Sequence, residues 1–368
     1  MATVKRSPNG KKWRVRWYDP DGNERAKDFD RSRDAKNYGA DMEASKAKGR
    51  YVDLSSKTTV AEYARQWAEM RPHKESTAKR VESTIRNHVE GTRFGSMRLV
   101  SVRHSHAQAW ATGRAAVLAP STLRVVVYTV SAIFKAAIAD QQHPGLSPFL
   151  NVALPEQPQA RLVPLSVAQV RALADAVPDR CRAMVITQAG LGLRLGELLA
   201  LTREDVDFLR RRANVQWQFR PGSRKRVRPK TKLSERPIPL PGFVADALAL
   251  HMKEYPPLRD GSVFHNSRGG VWTHAAYGTK VLGDAVERAG LPEGTTSHDL
   301  RHHFASVLLA AGESVVAVAE WLGHANADLV VRVYGHLMPD SDQRMRQRMD
   351  AAWADADQVR TAGPLQAV

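Results

Sequence analysis

The stretch HPGLSPFLNVALPEQPQARLVP, residues 143–164, constrains the fold more than any other, with five prolines and neither helical nor strand periodicity. Proline removes a backbone donor and clashes with the preceding helical turn, so a stretch this rich in it reads as irregular chain. At 368 residues the sequence is long for one hydrophobic core and suits two or three domains. The boundary is therefore expected here, with 148–164 as a linker, a larger domain over 165–350 and a tail at 351–368.

The part before the boundary divides again. Over residues 11–30, Trp13, Val15 and Trp17 alternate with Lys12, Arg14 and Arg16, the two-residue period of a strand. DPDGN at 19–23 is a turn signal between strands, and 31–49 reads as a helix closed by Gly49. A small three-stranded β-sheet plus helix is expected over 1–55. From 57 to 147 the period changes to that of helices. Val60, Tyr63, Ala64 and Trp67 form one stripe and Val81, Ile85 and Val89 another. Two further helical segments follow at 101–115 and 121–142, with Pro72, Pro120 and Pro144 between helices. The larger domain reads as mixed and mainly α, with a small β-sheet. Ser166 caps its first helix, and 181–201 is a buried helix, a glycine-rich turn and another helix. Residues 205–240 are strand-like, with RPIPL as the far strand of a hairpin. A tail helix is expected over 341–356, with Met345, Met349 and Trp353 on one face, and disorder over the last dozen residues.

Charge narrows the partner. Fifty-five Lys and Arg against 38 Asp and Glu leave a net +17, with a pI near 10.2. A surplus of this size marks a polyanion partner, most often nucleic acid. It is concentrated between Arg220 and Arg236, where Arg224, Lys225, Arg226, Arg228, Lys230 and Lys232 stand against one acid, Glu235. Arg14 and Arg16 on the strand, and Lys74, Lys79 and Arg80 on the helices, are further candidates for DNA contact, the alternative being faces that serve only solvation. Cys181 is the only cysteine, which excludes an internal disulfide and a cysteine-based zinc site. No apolar run reaches the roughly 18 residues of a membrane span, and the basic start lacks the apolar core of a secretory leader. A cytoplasmic protein without membrane partners is expected.

Three segments carry side chains suited to chemistry. In GLGLRLGELLAL (190–201), Arg194 lies among Gly and Leu, with Glu197 one helical turn on to meet its charge. The segment lacks the Gly-Lys-Ser/Thr end of a nucleotide loop. In TTSHDLRHHFASVLLAAG (295–312), His298 and Arg301 open a helix that Thr296 or Ser297 can cap, with Asp299 in its first turn. A metal on His298, His302 and His303 is disfavoured by the intervening Arg301, and no metal or other cofactor is expected. In LGHANADLVVRVYGH (322–336), His324, Tyr334 and His336 flank an apolar run. Phosphodiester cleavage needs cations for the charge that builds on the non-bridging oxygens, a nucleophile and an acid for the leaving oxygen. Arg194 and Arg301, His298 and His324, Tyr334 and Lys230 fill these roles without metal or ATP. A cationic pocket is expected to lower the tyrosine pKa from its usual value of about 10.

GLRLGEL with Arg194 and Glu197, a hairpin Lys230, HDLRH at 298–302, LGH at 322–324 and then Tyr334 stand in the order found in the tyrosine recombinases of the phage integrase family, which this chain resembles. Each box is weak alone; five in order over residues 190–334 are specific. The resemblance implies DNA cleavage through a 3′-phosphotyrosyl bond, strand exchange, a Holliday-junction intermediate and a homotetramer on two double-stranded attachment sites. Arg194 and Arg301 would hold the scissile phosphate, His298 and His324 would hydrogen-bond it and assist proton transfer, and Lys230, preferred over the flanking strand residue Lys232, would be the general acid. Glu197 would orient the pocket, and Asp299 and His302 would support it. Residues 57–147 would be the core-site DNA-binding domain and 1–55 the arm-type DNA-binding domain, which favours a mobile-element integrase. Such an enzyme would work with an excisionase and a host DNA-bending protein. A regulator that binds DNA without cutting it is the alternative outside enzymes, and a chromosome-dimer resolvase or a relaxing topoisomerase of the same chemistry the alternatives within them.

Overall fold

The computed structural model describes residues 2–19, 22–49, 51–157, 163–229, 231–324 and 326–335, with short stretches at 345–346, 349–351 and 353. The chain divides into two compact units, 1–159 and 160–368, so the division falls inside the proline-rich stretch.

The first unit opens with strands β1 (Thr3–Arg6), β2 (Trp13–Tyr18) and β3 (Glu24–Phe29), antiparallel in the order β1-β2-β3. Helix α1 (Ser32–Ala47) closes over one face. The alternation in β2 decides which face: Val15 and Trp17 are buried with Ala35 of α1 and with Tyr51, whose hydroxyl accepts the Trp17 indole N–H at 2.9 Å. Arg14 and Arg16 point the other way and meet acids on β3, Asp28 at 2.6 Å and Glu24 at 3.1 Å.

Helices α2 (Val60–Met70), α3 (Glu75–His88), α4 (His104–Ala115) and α5 (Pro120–Ala139) then build a second core in the same unit. α2 starts where it does because Thr59 and Glu62 form a reciprocal capping box. The stripes read from the sequence are buried in this core, Val60, Tyr63, Ala64 and Trp67 with Val81, Ile85 and Val89. α5 is long and apolar enough to cross a bilayer, but Leu123, Val126, Val127, Val130, Ile133, Phe134 and Ala137 are its core stripe. Pro120 is not between helices: it is the first residue of α5, where its missing N–H costs nothing and its fixed φ suits the turn. The linker also begins later than the prolines suggest. Phe149 is buried against Phe94, Trp110 and Phe134, and Val152 and Leu154 pack on the same core.

The second unit surrounds a larger core. α6 (Val167–Ala176) is capped by Ser166, as the sequence indicates. The buried helix α7 (Asp179–Leu191) ends on Gly192 at φ +62°, and α8 (Leu195–Leu199) starts at once. Strands β4 (Val206–Asp207) and β5 (Arg212–Val215) follow, then the short hairpin of β6 (Gln218–Phe219) and β7 (Arg226–Val227), then β8 (Arg236–Pro239). Two expectations change here. RPIPL does not close a hairpin with the basic segment, because β8 pairs with β5, Arg236 opposite Val215, while β6 and β7 pair with each other. Lys232 is in a single 3-10 turn, Lys232–Ser234, and not in a strand. α9 (Gly242–Glu254), a π-helical segment at His274–Val281 and α10 (Leu282–Arg288) complete the scaffold. α11 (Ser297–Ala310), α12 (Val315–Leu322) and α13 (Asp328–Tyr334) gather around Phe304, Leu309, Val318, Leu322 and Val330. Met345, Met349 and Trp353 are helical and exposed. The last dozen residues and His336 lie outside the described residues.

Candidate active site

The site is built on a buried carboxylate. Arg194 is the N-cap of α8, and Glu197 one turn on accepts the Arg194 backbone N–H at 3.0 Å and its Nη1 at 2.7 Å. From β8, Arg236 donates Nη2 and Nη1 to the same carboxylate at 3.0 and 3.3 Å. Burial by itself would raise the Glu197 carboxyl, but Arg236, and after it Arg194, override that and hold it below its ordinary value. Glu197 is thus ionised and bridges two guanidiniums. Arg236 is a residue that the sequence reading missed. Its Nε donates to the Trp321 carbonyl at 2.5 Å and its Nη1 to the Ser234 carbonyl at 2.9 Å, so it ties β8 to the end of α12. The available signal was alternation, since Arg236 and Ile238 face inward while Pro237 and Pro239 face out.

Glycine in LGH follows from this packing. Gly323 has φ +67°, and a Cβ there would approach Arg236 Nη1 to 2.9 Å. Its carbonyl accepts Arg194 Nη2 at 3.1 Å. Gly192 is similar at the other side: φ +62°, with a Cβ driven to 2.4 Å from Phe304. The Gly192 carbonyl accepts Arg301 Nη1 at 2.7 Å, and Leu322 accepts Arg301 Nη2 at 2.5 Å. Arg301 is only 2% exposed, and burial first, then Arg194, lowers its pKa to about 9. It remains charged at neutral pH.

Arg301 Nη2 also donates to His324 Nε2 at 3.0 Å, which places the neutral imidazole proton on Nδ1. His324 is pushed down to about 4, by burial and then by Arg301, Arg194 and Arg236. His298, in the first turn of α11, is also lowered by burial and Arg301, with Asp299 opposing. Thr296 caps α11 by accepting the His298 N–H, and Asp299 accepts the Thr296 N–H at 2.8 Å. Asp299 therefore supports the helix start. His303 faces away and bonds the Leu165 carbonyl at 2.7 Å.

Tyr334 closes the group from α13. It is 3% exposed, and its hydroxyl lies 2.5 Å from His302 Nδ1. His302 in turn touches His298, ring to ring at 4.6 Å. The expectation that cations lower the tyrosine is reversed: Tyr334 is pushed up to about 12, because burial outweighs the pull of Arg301. Among the described residues no group of His, Cys, Asp and Glu is arranged to hold a metal.

The basic candidates sort by how occupied they are. Arg226 is turned inward, donating to the Ala200 carbonyl at 3.2 Å, to Asp260 at 3.1 Å and to Ser262, so it braces the hairpin instead of offering a free charge. Arg228 stacks on Trp217 at 4.5 Å and pairs with Glu235 at 3.0 Å. Arg224 and Lys225 are exposed at the hairpin tip, and Lys232 is exposed in its turn. Lys74 and Arg80 are exposed on the helical part, and Lys79 pairs with Glu75 at 2.9 Å. Lys230 lies outside the described residues.

Residues 164–340 match the phage integrase family. The chain is 31% identical over 229 residues to the tyrosine recombinase XerD of Mycobacterium leprae, covering 58% of this chain and 69% of that protein. It is 25% identical over 300 residues to a XerC-like tyrosine recombinase of Caldanaerobacter subterraneus, covering 72% of this chain and 75% of the relative. In structure it is similar to the integrase of transposon Tn1549 in complex with a circular-intermediate DNA, with a TM-score of 0.70 and 26% identity over 79% of this chain and 99% of that one.

Proposed function

This chain belongs to the phage integrase family of tyrosine recombinases, and on that premise we propose that it cuts and rejoins DNA at the attachment sites of a mobile element, with Tyr334 as nucleophile. The observation that carries the proposal is the one hydrogen-bonded cluster in which Arg194 and Arg301, His324 and the His302–Tyr334 pair converge. The two guanidiniums bind the non-bridging oxygens of the scissile phosphate, where charge builds as the fifth bond forms. His324 and His298 donate further hydrogen bonds to it. Tyr334 attacks phosphorus, and the 3′-phosphotyrosyl bond stores the energy of the broken phosphodiester. Lys230 protonates the departing 5′-oxygen, with Lys232, two residues on, as the less favoured acid. The free 5′-hydroxyl of a partner strand then reverses the step, and four copies on two sites exchange strands through a Holliday junction. The experiment is incubation with a nicked duplex whose site has been selected from a random-sequence pool by this protein. The short downstream fragment is lost after cleavage, and the trapped adduct is expected on the Tyr334 peptide. An adduct on another residue, or none on DNA that is bound, overturns the assignment.

Residues 57–147 form the core-site DNA-binding domain in this reading, with Lys74, Lys79 and Arg80 toward phosphates. Arg224, Lys225, Arg228 and Lys232 serve the same end in the 165–350 catalytic domain. Residues 1–55 are the arm-type domain. Arg14 and Arg16 already hold acids there, so DNA contact through that strand face requires phosphate to displace Asp28 and Glu24. The enzyme acts on the nucleoid in the cytoplasm, with an excisionase and a DNA-bending protein setting direction. Deletion of 1–55 is expected to leave cleavage of the nicked site intact and to reduce integration at least ~10-fold, as loss of a second DNA contact on one chain does through effective concentration. Full recombination with unchanged site requirements would rule out the arm role.

A further inference from the structure

We propose that His302 is the base that takes the Tyr334 proton as the hydroxyl attacks phosphorus, and that it returns the proton on religation. The inference rests on the reading of Tyr334 as the nucleophile and goes beyond it, because neither His298 nor His324, the histidines to which the motifs assign proton transfer, is hydrogen-bonded to the tyrosine hydroxyl, whereas His302 is.

The geometry limits the candidates. The His302 Nδ1 is 2.5 Å from the Tyr334 hydroxyl, and no other side chain among the described residues is hydrogen-bonded to it. His324 Nε2 is turned to Arg301. The Asp299 carboxylate is held by Thr296 at the helix cap. His298 lies edge-on against the His302 ring, and the hydrogen bond with the tyrosine is made by His302. The contact suits the His302 tautomer with its proton on Nε2, in which the tyrosine hydroxyl donates to the Nδ1 lone pair. That is the tautomer a base at Nδ1 requires.

The groups around His302 make it conditional on substrate. His298, Asp299 and Arg301 bear on it from α11, and Tyr334 faces it from α13. Burial, then His298, pushes it down to about 4, with Arg301 adding to this and Asp299 opposing. Free of DNA, His302 is therefore neutral, and its partner tyrosine keeps its proton. A phosphate bound to Arg301 and His298 brings negative charge against the groups that depress His302, and its basicity rises. Transfer then accompanies attack. The Oη–P bond forms and the P–O5′ bond breaks. The phenolic proton moves to Nδ1, and the general acid, assigned above to Lys230, supplies the proton on O5′. Religation runs every transfer in reverse, so no group outside the site is consumed.

The test is single-turnover cleavage by the full chain on the selected nicked duplex, from about pH 5 to pH 9, comparing wild type, His302→Asn and His302→Ala. Asparagine places its amide oxygen near the position of Nδ1 and accepts the tyrosine hydrogen bond, but it cannot hold a proton. Both variants are expected to cleave ~10²–10³-fold more slowly, to lose the decline in rate at acid pH, and to bind DNA as wild type does. Their residual adduct is expected on Tyr334. If His302→Asn keeps the wild-type rate and pH profile, His302 only positions the tyrosine and the proposal fails. A faster His302→Ala would also overturn it, since His302 would then restrain the nucleophile. A wild-type adduct on another residue would instead remove the nucleophile reading itself, an outcome distinct from the other two.

Discussion

Replacing Tyr334 with Phe is expected to abolish the covalent protein–DNA adduct while leaving binding to the attachment site within about two-fold. The size of the loss follows from the chemistry. Without the phenol the site polarises a phosphate whose assigned nucleophile is missing. Removing a nucleophile from an assembled site typically costs at least ~10⁴-fold in turnover, even when binding and charge stabilisation persist. The fold should tolerate the change. Phe keeps the ring packed with Val330 and Leu322, and the structural loss is one hydrogen bond to His302, about 1 kcal/mol. Adduct is read on a denaturing gel and binding by mobility shift on the same nicked duplex. An adduct of undiminished yield would show that another residue is the nucleophile. A protein that binds no DNA would show that Tyr334 is needed for the fold and leave its chemical role open to the His302 variants.

What the sequence made legible was local. The helical stripes at Val60–Trp67 and Val81–Val89, the alternation around Val15 and the cap at Ser166 are each decided by neighbours within a few residues and stand as the sequence indicates, and of the two caps open for α11, Thr296 and Ser297, the chain uses Thr296. The order of the boxes was legible as well, because the family resemblance keeps it in one dimension. The features that were not legible depend on residues far apart in the chain. Glu197 and Arg236 are separated by 39 positions, and only the folded sheet brings them to 3.0 Å. Segment RPIPL looked like half of a hairpin because its nearest basic neighbours were close in sequence, but the strand it fills against is β5. The sign of the Tyr334 shift was lost for a related reason. Counting cations predicts a lowered pKa, yet the tyrosine is enclosed by α11, α12 and α13, and an anion at 3% exposure is penalised more than one guanidinium can offset.

The second large effect belongs to Glu197. Changing it to Ala leaves Arg236, whose side chain is 3% exposed, with its charge unmet, and it frees Arg194 to swing. Breaking a buried pair by removing one partner costs ~3–5 kcal/mol, so the urea midpoint should fall sharply at an unchanged slope. Cleavage should fall further than stability explains, because Arg194 loses the carboxylate that aims it. Glu197→Gln keeps an acceptor for the Arg194 N–H but not the charge, and is expected to fall between the two. The pH dependence has a definite sign. The Glu197 carboxyl is lowered by folding, so its contribution is fully present above its unfolded pKa and is lost as pH falls through the folded value. The stability gap between wild type and Glu197→Gln should therefore be widest at neutral pH and narrow in acid. A double change, Glu197→Leu with Arg236→Met, separates stability from aim. It removes both charges from the core and should recover much of the stability, yet it cannot restore the hold on Arg194, so cleavage should stay low. Wild-type cleavage in Glu197→Ala would show that Arg194 is aimed by the Gly323 carbonyl alone, and that the carboxylate serves only to neutralise Arg236.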